Sequence, residues 1–109
     1  MSDDFQAPIP SRSALRKQYR AALRAAVLSA PGVAGFDASL FRRLRGDSGL
    51  WFRDARGGGV RVRLRLKLKA GHSAAAVAQH LRERLMPPPL DVVQLDVYFG
   101  RIVKARGAE

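Results

Sequence analysis

The chain has 109 residues, enough for one domain with a hydrophobic core but too few for two. It contains no cysteine, which excludes disulfides, thiolate metal sites and thiol catalysis. Twenty Lys and Arg residues against nine Asp and Glu residues give a net charge of +11, which favours nucleic acid, an anionic lipid surface or an acidic protein as partner. Arg is far commoner than Lys and Ala is abundant, so a purely compositional origin of the charge stays open.

The two ends of the chain are predicted to be tails around a single domain. Residues 1–12 contain Pro8 and Pro10 and no apolar periodicity, so we predict a flexible N-terminal tail. The sequence shows no secretory signal peptide, which would have a basic start and an apolar stretch, and no apolar run of ~20 residues that could span a bilayer. We therefore expect a cytoplasmic protein. The domain is predicted over 13–103, followed by a polar tail at 104–109.

A first amphipathic helix is predicted over 14–30, capped by Ser11 or Ser13 and ended by Pro31-Gly32. Apolar residues recur at intervals of three and four and form one stripe: Leu15, Tyr19, Ala22, Leu23, Ala26, Val27 and Ala30. Beside the stripe lies a secondary basic patch that favours electrostatic contact with an anionic surface: Arg16, Lys17, Arg20 and Arg24.

The next segment is predicted to lead into a β-hairpin. Residues 33–36 are interpreted as a short link, and 37–49 as either coil or a short helix capped by Asp37. Residues 50–53 are interpreted as a first strand, and the glycine-rich residues 54–59 as its turn.

The strongest pattern in the chain is the alternation V-R-V-R-L-R-L-K-L-K at 60–69. Side chains of a β-strand point alternately to opposite faces, so this segment predicts a strand with one apolar face and one basic face. The basic face carries five like charges about 7 Å apart, which an anionic partner would relieve. This basic row consists of Arg61, Arg63, Arg65, Lys67 and Lys69.

A second helix and a last strand complete the predicted fold. Ser73 is expected to cap the helix, whose inward positions are Ala74, Val77, Ala78, Leu81 and Leu85. The last strand is predicted over 92–99 with Val93, Leu95, Val97 and Phe99 inward, and Gly100 is expected to bulge it. The fold class is therefore α+β, a two-layer sandwich of α-β-β-α-β order with two helices on one face of a three-stranded, mostly antiparallel sheet.

No catalytic or metal-binding constellation is visible in the sequence. His80 and Glu83 are three residues apart on the predicted helix and could share one face of it, but a metal site needs further ligands and no similar pair occurs elsewhere. His72 lies beside Ser73, whose predicted role is to cap the helix. We therefore expect a protein that is not an enzyme, uses no cofactor or metal and takes no small-molecule substrate.

The open sheet face is the candidate binding surface. The basic row together with Tyr98 resembles a platform on which single-stranded nucleic acid lies, with bases stacked on aromatic rings. Trp51 joins this face only if Leu50 and Phe52 point inward. A merely solvated sheet face is the alternative interpretation.

Several short motifs, taken in their order along the chain, resemble those of the alkaline shock protein family of bacterial envelope-stress proteins. They are the helix ending in P-G-V-A-G-F at 31–36, the alternating strand at 60–68, Gly71 before the Ser-capped helix, and V-Q-L-D-V at 93–97. The similarity covers about residues 23–103. The type II KH domain has a related element order, but its Gly-x-x-Gly loop between helices is missing here.

The resemblance implies a non-catalytic interaction or scaffold protein linked to envelope stress. It implies self-association into a homo-oligomer and protein partners that include a small membrane-anchor protein at the inner face of the cell membrane. Nucleic-acid binding by the basic sheet face is the alternative function. The sequence therefore favours two hypotheses, a scaffold and a nucleic-acid-binding module.

Overall fold

The computed structural model describes residues 11–38 and 48–104. The elements within these ranges are α1 (Arg12–Leu28), β1 (Val33–Phe36), β2 (Leu50–Asp54), β3 (Val60–Lys69), α2 (Ala74–Leu85) and β4 (Val92–Val103). The short helix that the sequence allowed within 37–49 falls mostly outside the described residues.

The long strand β3 is the centre of the sheet. β2 pairs antiparallel with its first half and β1 pairs antiparallel with its second half, so that the two short strands lie end to end along one side. β4 pairs with β3 in parallel along the other side, after the crossover through α2. The α+β prediction is confirmed, with four strands in place of three.

The additional strand is β1, so the predicted link at 33–36 is wrong. Val33 pairs with Leu68 and Phe36 with Leu66, and the backbone N–H of Asp37 extends the ladder by donating to the Arg65 carbonyl at 2.8 Å. Small residues at Ala34 and Gly35 hide the alternation in so short a strand, because neither carries a distinctly inward or outward side chain.

The core lies between the apolar face of β3 and the two helices. Val62, Leu64, Leu66 and Leu68 are all buried, as the alternation predicted. The other buried residues of the same core cluster come from the helices, the other strands and the connection between α1 and β1: Leu23, Val27, Ala30, Val33, Leu50, Phe52, Val77, Leu81, Leu85, Val92 and Leu95. Burying one such Leu or Val side chain stabilises the fold by about 1.5–3 kcal/mol.

Helix α1 begins at Arg12, two residues before the predicted start, because Ser11 is its N-cap and accepts from the Ala14 N–H at 3.0 Å. Leu15 was assigned to the apolar stripe, but it is 49% exposed. The helix ends before Gly32, whose φ of +88° is favourable only for glycine, and a Cβ there would lie 2.6 Å from Val77 Cγ2.

Tyr19 connects α1 to the segment that precedes β4. Its hydroxyl donates to the Leu90 carbonyl at 2.7 Å, and its ring centroid lies 5.1 Å from that of Phe52. Burial raises the pKa of the Tyr19 hydroxyl to about 12, and the nearby carboxylates of Asp91 and Asp54 add to the shift.

Helix α2 is capped as predicted, with the Ser73 side chain accepting from the Ala76 N–H at 3.2 Å. Of its predicted inward positions, Val77, Leu81 and Leu85 are buried, whereas Ala74 at the first turn is exposed. Near its last turn Arg84 donates to the Ser29 hydroxyl and ties α2 to the end of α1.

Strand β4 contains two bulges. A register shift beside the Val60–Val92 pair leaves Val93 as the extra residue, and Val93 is 52% exposed, so its predicted inward position is wrong. A second shift leaves Gly100 unpaired between Phe99 and Arg101, which confirms the bulge expected there. Between the bulges the side chains alternate normally.

Candidate nucleic-acid interface

The basic row of β3 lies on the sheet face opposite the helices. Its five side chains are half-buried or exposed, while the apolar residues between them are mostly buried on the other side. Within residues 11–38 and 48–104 none of the five forms an ion pair. The row is therefore a line of positive charge without an ion-pair partner in the described part of the chain.

β4 contributes polar and aromatic side chains to the same face. Across from Arg61, Arg63, Arg65 and Lys67 lie, in that order, Gln94, Asp96, Tyr98 and Arg101. Tyr98 is 51% exposed and is the register partner of Arg65, so the structure brings the predicted ring and the predicted cations together.

Trp51 belongs to this face as well. Leu50 and Phe52 are buried against the helices, so Trp51 between them points to the open side and is 41% exposed. Its register partner is Arg63, whose guanidinium lies 5.2 Å from the indole centroid, and the guanidinium of Arg53 lies 5.5 Å from it. The open face thus carries one aromatic ring on each side of the basic row.

Two carboxylates lie beside the middle and the far end of the row, and a third, Asp54, lies near its Arg61 end. Asp96 accepts from the Gln94 amide at 3.4 Å, as part of the predicted face. Asp37, which the sequence analysis did not place here, is buried and its Oδ1 lies 3.7 Å from Arg101 Nε. Arg101 and Arg53 add to the five cations of the row, so positive charge prevails over the described face.

The secondary basic patch on α1 lies beside aromatic rings of the neighbouring strands. Arg16 and Arg20 hold their guanidinium groups 4.7 and 5.0 Å from the centroid of the Phe52 ring. Arg24 lies in the same way 4.8 Å from the ring of Phe36. Three of the four patch residues therefore pack against the edge strands, and only Lys17 is without such a contact among the described residues.

Arg16 and Arg20 also cover the outer edge of β2. Because the Gly49 carbonyl accepts from the Arg65 N–H at 2.8 Å, the carbonyls of Leu50 and Phe52 point away from β3. Arg20 donates to the Leu50 carbonyl at 3.2 Å and Arg16 to the Phe52 carbonyl at 3.4 Å. These contacts satisfy edge groups that would otherwise be open to another strand.

The two histidines are not part of a cluster of metal ligands among the described residues. Glu83 accepts from Gln79 at 3.3 Å, and His80 is half-buried with no partner for Nε2 within the described part of the chain. No group of three or more His, Asp or Glu side chains in the described ranges is arranged to hold a metal ion.

Comparison of the chain with protein-family models, with curated proteins and with solved structures finds no match. Among the helices that the structure describes, neither is long and apolar enough to cross a membrane.

Proposed function

We propose that this protein binds single-stranded nucleic acid on the open face of its sheet. The observation that carries the proposal is the basic row flanked by Trp51 on β2 and Tyr98 on β4. Proteins that bind single strands combine a cationic track for the phosphates with aromatic rings on which bases stack.

The electrostatic support comes from the excess of positive charge on the described face. Five cations lie along β3, and the described carboxylates nearest to them are fewer: Asp37, Asp54 and Asp96. Two further cations, Arg53 and Arg101, extend the positive surface to both neighbouring strands. Contacts between these cations and the phosphates would release counterions condensed on the nucleic acid, which is a large source of affinity.

The aromatic support comes from the position of the rings. By register, Trp51 and Tyr98 lie on opposite neighbours of β3 and two residues apart along it, a separation of about 12 Å from the usual strand spacing and rise. Bases that project from one strand of nucleic acid would reach both rings while its phosphates follow the basic row.

Fluorescence anisotropy of a labelled single-stranded oligonucleotide, and of its duplex, tests the proposal. We expect the single strand to bind more tightly, because only its bases are free to stack on the rings. The variant R61Q/R63Q/R65Q should lose most of the affinity. The control variant K17Q/R82Q/K104Q removes the same charge from exposed positions outside the basic row and should keep most of it.

An equal loss of affinity in the two triple variants would contradict the proposal, because it would show that net charge alone drives binding. Tighter binding to the duplex would also contradict it, since base stacking on the two rings requires unpaired bases.

A second candidate is the scaffold function that the resemblance to alkaline shock proteins implies. One observation favours it: the outer edge of β4 is unpaired within the described residues, whereas the outer edge of β2 is covered by Arg16 and Arg20. A neighbouring copy could add a strand there. β4 contains one acid, Asp96, and one base, Arg101, so charge repulsion between two such edges would be small.

On this second hypothesis the protein would assemble near the inner face of the cell membrane with a small membrane-anchor protein. Light scattering over a range of protein concentrations tests the assembly. Growth of the mean mass with concentration would support the scaffold, and a strict monomer at the highest concentration would count against it.

A further inference from the structure

Three arginines surround one open concavity at the hairpin end of the sheet. Its volume is about 690 Å³, and it is lined by Arg53, Asp54, Ala55, Arg56, Arg61, Val93 and Gln94. It lies beside the turn that joins β2 to β3 and beside the β4 bulge, where Val93 has no register partner on β3. The basic row ends at this concavity, because Arg61 is its first member.

The charges around this concavity are unfavourably placed in the isolated protein. Arg53 and Arg61 are direct cross-strand partners, and like charges at such positions repel. Arg61 Nε is buried and has no hydrogen-bond partner in the described part of the chain. Asp54 is the only carboxylate in the lining, so the three arginines leave an excess of two positive charges.

A phosphate group would compensate for both features. The planar guanidinium of Arg matches two oxygens of a phosphate, and the Gln94 amide at the rim has a second N–H besides the one that it donates to Asp96. A terminal phosphate carries close to two negative charges at pH 7, whereas a phosphate within a nucleic-acid strand carries one. The excess charge therefore favours the terminal group.

We propose that this concavity binds a terminal phosphate group, and that a single strand on the open face is anchored by it at the hairpin end. The inference rests on the proposed nucleic-acid binding and adds a preference for one chemical end of the strand. The phosphate chemistry itself does not depend on the nucleic acid, since a free phosphate ion would present the same oxygens and charge.

The test compares labelled oligonucleotides of six residues with a 5′-phosphate, with a 3′-phosphate and with neither. We expect one of the two phosphates to tighten binding to the wild-type protein at least tenfold. In Arg56→Gln this ratio should fall below threefold, while in the control Arg82→Gln it should persist. Gln94→Ala on the neighbouring strand gives an independent variant with a smaller reduction of the ratio. Melting curves show whether each variant is folded.

A calorimetric titration with inorganic phosphate separates this inference from the proposed function. In one outcome the protein binds inorganic phosphate, with weaker binding in Arg56→Gln, and yet binds none of the oligonucleotides. That result would support the phosphate site and overturn its role in anchoring nucleic acid. Equal affinity for all three oligonucleotides would overturn the inference and leave the open-face function intact.

Discussion

Trp51 and Arg63 are cross-strand partners on the open face of the sheet, and the Arg63 guanidinium lies 5.2 Å from the centroid of the indole ring. This geometry allows a cation–π attraction, which at exposed sites is worth about 0.5–1 kcal/mol. The contact keeps a charged group and a flat apolar surface side by side. Such a pair suits a ligand that presents phosphates and bases together.

Trp51→Ala should weaken binding of a single strand about 5- to 150-fold, because stacking of one base on an aromatic ring contributes about 1–3 kcal/mol. Trp51→Phe retains an aromatic face and should lose much less. The salt dependence of binding should change little in either variant, since the indole ring carries no charge. Anisotropy titrations of the two variants measure both quantities, and unaltered affinity in Trp51→Ala would argue against stacking on this ring.

Removing the arginines that cover β2 should reduce stability. Arg16→Ala/Arg20→Ala deletes two guanidinium–Phe52 contacts and two hydrogen bonds to edge carbonyls, and we expect a loss of roughly 1–3 kcal/mol in the free energy of unfolding. The freed edge should also promote aggregation, which light scattering detects. Urea unfolding gives the free energy.

Lys17→Ala is the matched control for the edge variant. Lys17 lies on the same helix and is exposed, and its replacement should change the free energy of unfolding by less than about 0.5 kcal/mol. If the double arginine variant were as stable as Lys17→Ala, the covering of the β2 edge would have no energetic importance.

The stability contributed by Tyr19 should depend on pH. Its hydroxyl has a pKa near 12 in the folded protein and 10.0 ordinarily, so folding favours the protonated form. This contribution is complete below pH 10 and is lost as the pH rises through about 12. Tyr19→Phe should be less stable than the wild type by about 1 kcal/mol at pH 9, because the bond to the Leu90 carbonyl is lost. Urea midpoints should converge towards pH 12, and a constant difference would refute the assignment.

Gly59→Ala should destabilise the hairpin that positions the basic row. Gly59 has φ +80°, and a Cβ there would lie 2.3 Å from Val93 Cγ1, so both backbone strain and a collision follow. Gly57→Ala is the control, because Gly57 has φ +84° and no atom within 4 Å of its Cβ position. We expect Gly59→Ala to lower the free energy of unfolding more than Gly57→Ala does. This difference should shrink when Val93→Ala is added, because the collision is then removed, and denaturation of the single and double variants measures the coupling.

The alternation at 60–69 was sufficient to predict the central strand and the two faces of the sheet. Period-two patterns of ten residues have few other structural interpretations, and the burial of Leu64 and Leu66 confirms the inward face. The inward side chains of Leu50 and Phe52 then fix Trp51 on the open face, a question the sequence alone left undecided.

Other features depend on tertiary contacts that no local pattern contains. Val93 is apolar and in phase with the strand, but the bulge beside Val92 turns it outward. The repeat of Arg16, Arg20 and Arg24 is typical of a solvated helix face, and only the packing of α1 along β2 and β1 shows their contacts with Phe52 and Phe36. β1 was missed because its pairing energy comes from β3, distant in sequence.

The most direct test of nucleic-acid binding by the open face is the slope of log Kd against log salt concentration for a single strand. Each lost phosphate contact reduces the slope by about 0.7, so R61Q/R63Q/R65Q should have a slope shallower by about 2 than the wild type. The control K17Q/R82Q/K104Q should retain the wild-type slope. Equal slopes for the wild type and R61Q/R63Q/R65Q would contradict binding of the strand along the basic row.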